Sequence, residues 1–123
     1  MKHILVIDDA ATVRMYHRSI LEKAGYKVDE AVNGVEGLEK AVSASYDLYL
    51  VDINMPMLDG YSFLRELRAQ PIPQAPALMV STEAEQNDQT VAFEAGANFY
   101  LIKPTRPDIL LGYVQVMLGE VRS

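Results

Sequence analysis

Five residues with charged or hydroxyl side chains could act together, although they lie far apart in the sequence. They are Asp8, Asp9, Asp52, Ser81 and Lys103. Each one ends or follows a short apolar run, which is the pattern of strands buried on both faces of a parallel sheet. Because parallel strands end at one edge of a sheet, and open α/β sheets bind ligands at that edge, we expect a single site.

The expected site holds three carboxylates and one lysine. Carboxylates about 4 to 6 Å apart repel by a few kcal/mol per pair at an effective dielectric constant near 20, and one lysine cannot balance three. A divalent cation is therefore expected, and all-oxygen ligands in an open site suit Mg²⁺ better than Zn²⁺. Ser81 and Lys103 would bind phosphoryl oxygens, and an aspartate beside Mg²⁺ is a competent phosphoryl acceptor.

Strand-like and helix-like segments alternate five times along the chain. The apolar runs predict strands at residues 4–7, 26–31, 48–51, 77–80 and 99–102. This alternation, with short connections, predicts one doubly wound α/β domain, a (βα)5 fold whose parallel sheet carries helices on both faces.

Polar residues near two predicted helix starts suggest how those helices are capped. We expect Thr12 to cap the first helix, and Thr105 with Asp108 to form a capping box at the last one. Tyr16 belongs to the apolar stripe of the first helix and is expected to face the core. His17 has no partner pattern in the sequence and is expected at the surface.

Composition limits the possible classes of protein. With 123 residues, 50% of them hydrophobic, the chain is expected to be one domain with its own core. No run approaches the roughly 18 to 20 apolar residues of a membrane span, and no signal peptide precedes the first strand, so we expect a cytoplasmic protein without a membrane partner. A net charge of −6 without a basic cluster argues against nucleic acid as a direct partner.

The same residues, with the motifs around them, resemble the receiver domains of two-component response regulators, most closely the single-domain chemotaxis (CheY-like) type. The matching motifs are Asp8-Asp9, Asp52 with the following Asn-Met-Pro and Asp-Gly, Ser81, and Lys103-Pro104. The resemblance implies a sheet in the flavodoxin-like order 2-1-3-4-5 and a cis peptide between Lys103 and Pro104. It also implies one receiver domain over residues 1–123, with no effector domain.

The resemblance further implies a role for each residue of the site. Asp52 would accept a phosphoryl group from a histidine kinase or a His-containing phosphotransfer protein. Asp9, Asp52 and the backbone carbonyl of Asn54 would hold Mg²⁺. Asp8 would act on the metal through water, and Lys103 would pair with Asp52 or with its phosphate.

Other residues would switch the protein and set how long it stays phosphorylated. By the resemblance, Ser81 would move toward the phosphoryl group and Tyr100 would rotate inward behind it, unless Tyr100 is an ordinary half-buried aromatic. Asn54 and Glu83 would orient the hydrolytic water, as in the fast-decaying chemotaxis type. The bulk of Thr82 is expected to slow both gain and loss of phosphate.

An apolar partner surface is predicted beside the last helix. Helical spacing places Ile109, Tyr113 and Val116 on one side, where Tyr100 and Ile102 of the fifth strand could join them. We expect a downstream target protein, such as the flagellar motor switch, to dock there, and the chain to be a monomer or a weak dimer. The alternative is that the fourth helix covers these residues and makes them core.

Other functions fit parts of this pattern. A stand-alone phosphorelay shuttle in another pathway would carry the same residues. A phosphohydrolase of the haloacid-dehalogenase type also uses a strand-end Asp with Mg²⁺, but on the first strand and with a second Asp where this chain has Asn54. A flavodoxin would need a phosphate loop where this chain has Asp8 and Asp9, whose charge would repel a flavin phosphate. The expected function is a phosphorylation-operated switch and not a turnover enzyme.

Overall fold

Strands and helices alternate in the computed structural model, which describes residues 1–82 and 86–120. The strands are β1 (His3–Ile7), β2 (Lys27–Ala31), β3 (Leu48–Asp52), β4 (Ala77–Ser81) and β5 (Phe99–Ile102). The helices are α1 (Ala11–Lys23), α2 (Gly34–Ser43), α3 (Gly60–Ala69), α4 (Gln86–Ala95) and α5 (Pro107–Met117). The predicted strands are confirmed to within one residue at each end. None of these helices combines the length and hydrophobicity that a membrane crossing requires.

The five strands form one parallel sheet in the order β2-β1-β3-β4-β5, as predicted. The chain runs outward from β1 to β2 and then crosses back to β3, so the direction of winding reverses between β1 and β3. Such a reversal leaves a crevice at the carboxyl ends of the two strands. Asp8 directly follows β1 and Asp52 ends β3, so the fold places both carboxylates at this crevice.

Helices cover both faces of the sheet. One face joins β1, β3 and β4 to α2, α3 and α4 through Leu5, Ile7, Val51, Met79, Ala41, Phe63, Leu64, Leu67 and Ala92. The other face joins these strands to α1 and α5 through Ile4, Val6, Leu48, Leu50, Leu78, Leu21, Leu110 and Val114. Strands buried on both faces need apolar side chains at successive positions, which explains their uninterrupted apolar runs.

Two predicted helix caps are wrong. Helix α1 follows Ala10, which makes no side-chain cap bond, so Thr12 lies inside the helix and cannot cap it. The N-cap of α5 is Arg106, also without a side-chain cap bond, so Thr105 and Asp108 form no capping box. Thr105 is buried instead, at 5% exposure, and its polar atoms contact α1.

The orientation of α1 also differs from the prediction. His17 was expected at the surface but is only 2% exposed, whereas Tyr16 was expected in the core and is 42% exposed. The helix turns His17 and Leu21 inward. His17 is accommodated because its Nε2 lies 3.0 Å from the hydroxyl oxygen of Thr105, a partner 88 positions away.

Gly60 allows α3 to start directly against the end of β3. A Cβ atom at this position would lie 2.3 Å from the carbonyl oxygen of Asp52 and 2.9 Å from Cα of Ile53. We expect Gly60→Ala to lower the free energy of unfolding by about 1–3 kcal/mol, as overpacking usually does, because both atoms belong to the backbone. Chemical denaturation measures the loss.

Gly112→Ala in α5 is the matched control for this substitution. A Cβ atom there would meet nothing within 4 Å, so removing a helical glycine should leave stability unchanged or raise it by up to about 1 kcal/mol. Equal stability of the two variants would contradict the close approach of Gly60 to β3.

Candidate functional site

Two buried carboxylates meet one lysine at the carboxyl ends of the strands. Asp8 is 3% exposed and Asp52 is 7% exposed. Lys103, in the loop after β5, places Nζ 2.9 Å from Asp8 Oδ2 and 2.9 Å from Asp52 Oδ1. Lys103 is 95 positions from Asp8 and 51 from Asp52, so only the parallel sheet brings the three together. The Lys103–Pro104 peptide is cis, as predicted.

Asp9 adds a third carboxylate to this group. Ligand oxygens of Asp8, Asp9 and Asp52 all lie within 4.8 Å of one another. Asp9 is exposed while the other two are buried, so the cluster opens to solvent on one side. Hard oxygen donors around an open side suit Mg²⁺, which retains several waters when it binds. The residues present therefore fit the expected cation.

Burial raises the pKa of Asp52 above its usual range, and the nearby charge of Asp8 acts in the same direction, against the hydrogen bond from Lys103. For Lys103, burial alone would lower the pKa, but the hydrogen bonds to Asp52 and Asp8 raise it. The two raised pKa values are compatible, because Lys103 is hydrogen-bonded to two carboxylates, whereas Asp52 shares its single lysine with Asp8. The site thus holds more negative charge than Lys103 neutralises.

Asp8 is anchored by residues that the sequence did not suggest. Its Oδ1 accepts a hydrogen bond of 2.9 Å from the backbone N–H of Ala10, and its carbonyl accepts one of 2.8 Å from Nη1 of Arg14. Glu30 in β2 fixes Arg14 in turn, at 3.0 Å from Nε. Since Lys103 and Ala10 each contact one carboxylate oxygen of Asp8, an indirect role at the metal, through water, suits its geometry. A charge pair 16 positions apart leaves no local signal in the sequence.

The predicted switch residues lie on the two strands that follow β3 in the sheet, Ser81 at the end of β4 and Tyr100 in β5. Asp52 pairs in register with Val80, so Ser81 extends one position further along the same sheet edge, where it is fully buried. The backbone N–H of Lys103 donates to the carbonyl of Ser81 at 2.7 Å. Tyr100 is half-buried and packs against the core beneath α2, α3 and α4. Its rotation on phosphorylation stays a prediction.

The predicted entrance residues follow two strands that end at the site, β3 and β4. Asn54 is exposed in the loop after β3, and Thr82 is exposed directly after β4. Glu83 lies outside the described residues. A groove of about 360 Å³ is lined by Thr12, Val13, Tyr16, His17, Thr82, Lys103, Pro104 and Thr105. Thr82 and Lys103 therefore border the same groove, and the effect of Thr82 on phosphorylation stays a prediction.

Three of the five residues predicted for the partner surface are exposed. Ile102, Ile109 and Val116 are 39%, 44% and 54% exposed. Tyr100 and Tyr113 are half-buried and pack against the two core clusters. The alternative that the fourth helix buries this group is therefore wrong for Ile102, Ile109 and Val116.

The exposed apolar residues beside α5 are not one compact patch. Phe99 was not predicted, yet it is 38% exposed and its ring packs edge-on against Tyr113, with centroids 5.4 Å apart. Val116 lies two helical turns from Ile109, about 10 Å along the axis. There it borders a groove of about 540 Å³ with Met1, Lys2, Ala24, Gly25, Tyr26, Gly112, Gln115 and Glu120.

A family model decides how this arrangement is classified. The model of the response regulator receiver domain family matches residues 4–115 of this chain. The chain belongs to this family. Receiver domains are signalling switches that interact with histidine kinases and with downstream targets. Membership also sets aside the phosphohydrolase and flavodoxin interpretations.

Relatives of this receiver domain include chemotaxis proteins and transcriptional regulators. The chemotaxis protein CheY1 of Helicobacter pylori is 34% identical over 119 residues, which cover 94% of this chain and 96% of CheY1. The transcriptional regulatory protein ResD of Bacillus subtilis is 37% identical over 115 residues, which cover 94% of this chain but 47% of ResD. The chain thus spans about half the length of the transcriptional regulators it matches.

Solved structures agree with the fold. The chemotaxis protein CheY4 of Vibrio cholerae superposes with a TM-score of 0.90 at 34% identity, covering 95% of this chain and 98% of that one. The receiver domain of a sensor histidine kinase from Pseudomonas aeruginosa gives a TM-score of 0.89 at 32% identity, with 96% and 98% covered. That second structure has a magnesium ion coordinated in its active-site cleft.

Removing the charge of Asp52 should stabilise the metal-free protein. Because its pKa is raised in the folded state, ionisation of Asp52 opposes folding once the pH exceeds that raised pKa. We expect Asp52→Asn to raise the free energy of unfolding at neutral pH. The gain should shrink as the pH falls from the raised pKa toward the unfolded-state pKa, and it should vanish below that value, where the carboxyl is protonated in both states. Denaturation in a chelating buffer over a pH series measures it.

Asp108→Asn is the matched control, because the Asp108 side chain is 63% exposed. Its effect should be within about 0.5 kcal/mol at every pH. If Asp52→Asn were less stable than the parent at neutral pH, the stabilisation from the Lys103 bridge would exceed the cost of burying the Asp52 charge. That result would contradict the raised pKa of Asp52.

Proposed function

We propose that this chain is a phosphorylation-operated signalling switch in which Asp52 is the phosphoryl acceptor. The observation that carries the proposal is the buried Asp52 carboxylate, held by Lys103 and flanked by an acidic cluster with an open side. A purely structural ion pair would have no need of a third carboxylate at its mouth, because Asp9 adds repulsion and makes no ion pair within the described part of the chain.

The chemistry follows from the contacts of Asp52. An oxygen of its carboxylate would form a bond to the phosphorus of a phosphohistidine, while the P–N bond breaks and the imidazole leaves with a proton from solvent. Lys103, already 2.9 Å from the acceptor, supplies fixed positive charge to the phosphoryl oxygens. We assign Mg²⁺ to Asp9, Asp52 and the carbonyl of Asn54, where it would neutralise charge on those oxygens.

The signal would leave the site through β4 and β5. A phosphoryl group on Asp52 offers oxygens to which the hydroxyl of Ser81 can donate. Tyr100 is a neighbour of β4 in the sheet and is half-buried, so its rotation would change the surface beside the exposed Ile102. The rotation of Tyr100 would couple the charge change at Asp52 to a protein contact at that surface.

The lifetime of the phosphate would depend on the entrance. We propose that Asn54 and Glu83 orient the hydrolytic water and that the β-branched side chain of Thr82 crowds both the incoming donor and the water. The exposed position of Thr82, at the groove that reaches Lys103, supports its part of this proposal.

The output that we propose is a protein contact of the chemotaxis type, with a target such as the flagellar motor switch. CheY1 and CheY4 support it because they match this chain over nearly their whole lengths. The contact surface would include Tyr100, Ile102, Ile109, Tyr113 and Val116. A phosphorelay shuttle in another pathway would share the same acceptor site and differ only in the partner bound.

Phosphorylation by a small donor tests the acceptor directly. With Mg²⁺ and acetyl phosphate, the chain should take up one phosphoryl group, located on Asp52 by mass spectrometry of peptides. Asp52→Asn should take up none, removal of Mg²⁺ by a chelator should abolish labelling, and Asp108→Asn should label like the parent chain. Labelling of Asp52→Asn at the parent rate would overturn the assignment of the acceptor.

Charge substitutions on α5 test whether Val116 belongs to a free surface. Val116→Lys should change the free energy of unfolding by no more than about 0.5 kcal/mol, because the side chain is 54% exposed. Val114→Lys is the matched control on the same helix and should cost roughly 3–5 kcal/mol, because Val114 is fully buried. Thermal or chemical unfolding measures both, and a large loss in Val116→Lys would remove this residue from the partner surface.

A further inference from the structure

Helix α1 is joined to the loop after β5 by two hydrogen bonds to one residue. The hydroxyl of Tyr16 donates to the carbonyl oxygen of Thr105 at 2.6 Å. Nε2 of His17 lies 3.0 Å from the hydroxyl oxygen of Thr105. Consecutive residues of α1 thus hold both the backbone and the side chain of Thr105.

The pair formed by His17 and Thr105 is buried, at 2% and 5% exposure. Buried polar groups are costly when unpaired, so each of these side chains depends on the other. An apolar pair of similar volume could fill the same space without that dependence. A polar pair, in contrast, is satisfied in only one relative position of α1 and the loop, so it specifies that position.

The position of this loop matters because Lys103 lies two residues before Thr105. Nζ of Lys103 bridges Asp8 and Asp52, so a shift of the loop moves the ammonium group relative to the acceptor. About one turn before His17, Arg14 of the same helix donates to the backbone carbonyl of Asp8. One helix therefore anchors both the carboxylate side and the lysine side of the site.

We propose that Tyr16, His17 and Thr105 form a latch that positions Lys103 for phosphoryl acceptance by Asp52. The three are positioning residues, since they act through Lys103. The proposal rests on the proposed function for its effect on phosphorylation, but the placement of Lys103 by the latch can be measured without it.

The charge state of His17 suits this role. Burial lowers its pKa to about 4; the charge of Asp8 acts against this shift, and that of Lys103 acts with it. The imidazole is therefore neutral near pH 7, with one donor and one acceptor nitrogen. A neutral ring can bond to the Thr105 hydroxyl without adding a second positive charge close to Lys103.

Thr105→Val and Thr105→Ser separate the hydroxyl from the shape of the residue. Thr105→Val keeps the branched shape and removes the hydroxyl, and Thr105→Ser keeps the hydroxyl. We expect Thr105→Val to slow phosphorylation by acetyl phosphate about fivefold at saturating Mg²⁺, the effect of one lost hydrogen bond. Thr105→Ser should return the rate to near that of the parent chain, and the Mg²⁺ dissociation constant should change less than twofold in both variants.

NMR of the Lys103 ammonium group in unphosphorylated protein reports its placement independently. The Nζ resonance should shift in Thr105→Val and return in Thr105→Ser. Tyr16→Phe removes the other hydrogen bond from a partly exposed side chain, so it provides a second test if Thr105→Val fails to fold, and it should also shift the Lys103 signal.

The outcomes separate the latch from the proposed function. Unchanged Lys103 signals in Tyr16→Phe and in folded Thr105→Val overturn the latch, whether or not the chain is phosphorylated. A parallel loss of Mg²⁺ affinity and phosphorylation rate, without rescue by Thr105→Ser, also overturns it, because that pattern indicates general distortion. A parent chain that takes up no phosphate, but whose Lys103 signal responds to the latch, overturns only the proposed function.

Discussion

The bridge from Lys103 to Asp8 and Asp52 is the interaction on which the site depends. It holds together residues from the ends of β1, β3 and β5, and it makes burial of two carboxylates tolerable. It does not neutralise them, because a third carboxylate, Asp9, lies within the same cluster. The site therefore retains an excess of negative charge that a divalent cation can relieve. This excess distinguishes the site from a purely structural ion pair, and the proposed phosphoryl acceptance by Asp52 rests on it.

The sheet imposes the geometry that this bridge requires. Winding reverses between β1 and β3, so two acidic strand ends lie side by side at the crevice that such a reversal leaves. Gly60 lets α3 begin against the carbonyl of Asp52, which keeps the loop after β3 close to the acceptor. The fold thus places the Asp52 carboxylate through backbone that tolerates little change.

Helix α1 contacts both the carboxylate side of the site and the loop that carries Lys103. It contacts Asp8 through Arg14 and the lysine loop through Thr105, and it presents Tyr16 at the groove beside the site. The exposed apolar residues of β5 and α5 do not line this groove, and they extend from Ile109 to Val116 along the helix. Receiving a phosphoryl group and contacting a target would then use separate surfaces joined by β4 and β5.

The sequence by itself determined the strands, the acidic cluster and the family. Strands buried on both faces must be apolar at successive positions, and a charged residue at their end marks the sheet edge without knowledge of any partner. The tertiary structure alone decided the contacts of His17, Thr105 and Arg14, the inward turn of α1, and the division of the surface beside α5. His17 and Thr105 are 88 positions apart, so no local pattern records that they meet. Periodicity shows which residues share a helix face, but the rotation of the helix against the sheet depends on packing with every neighbouring element.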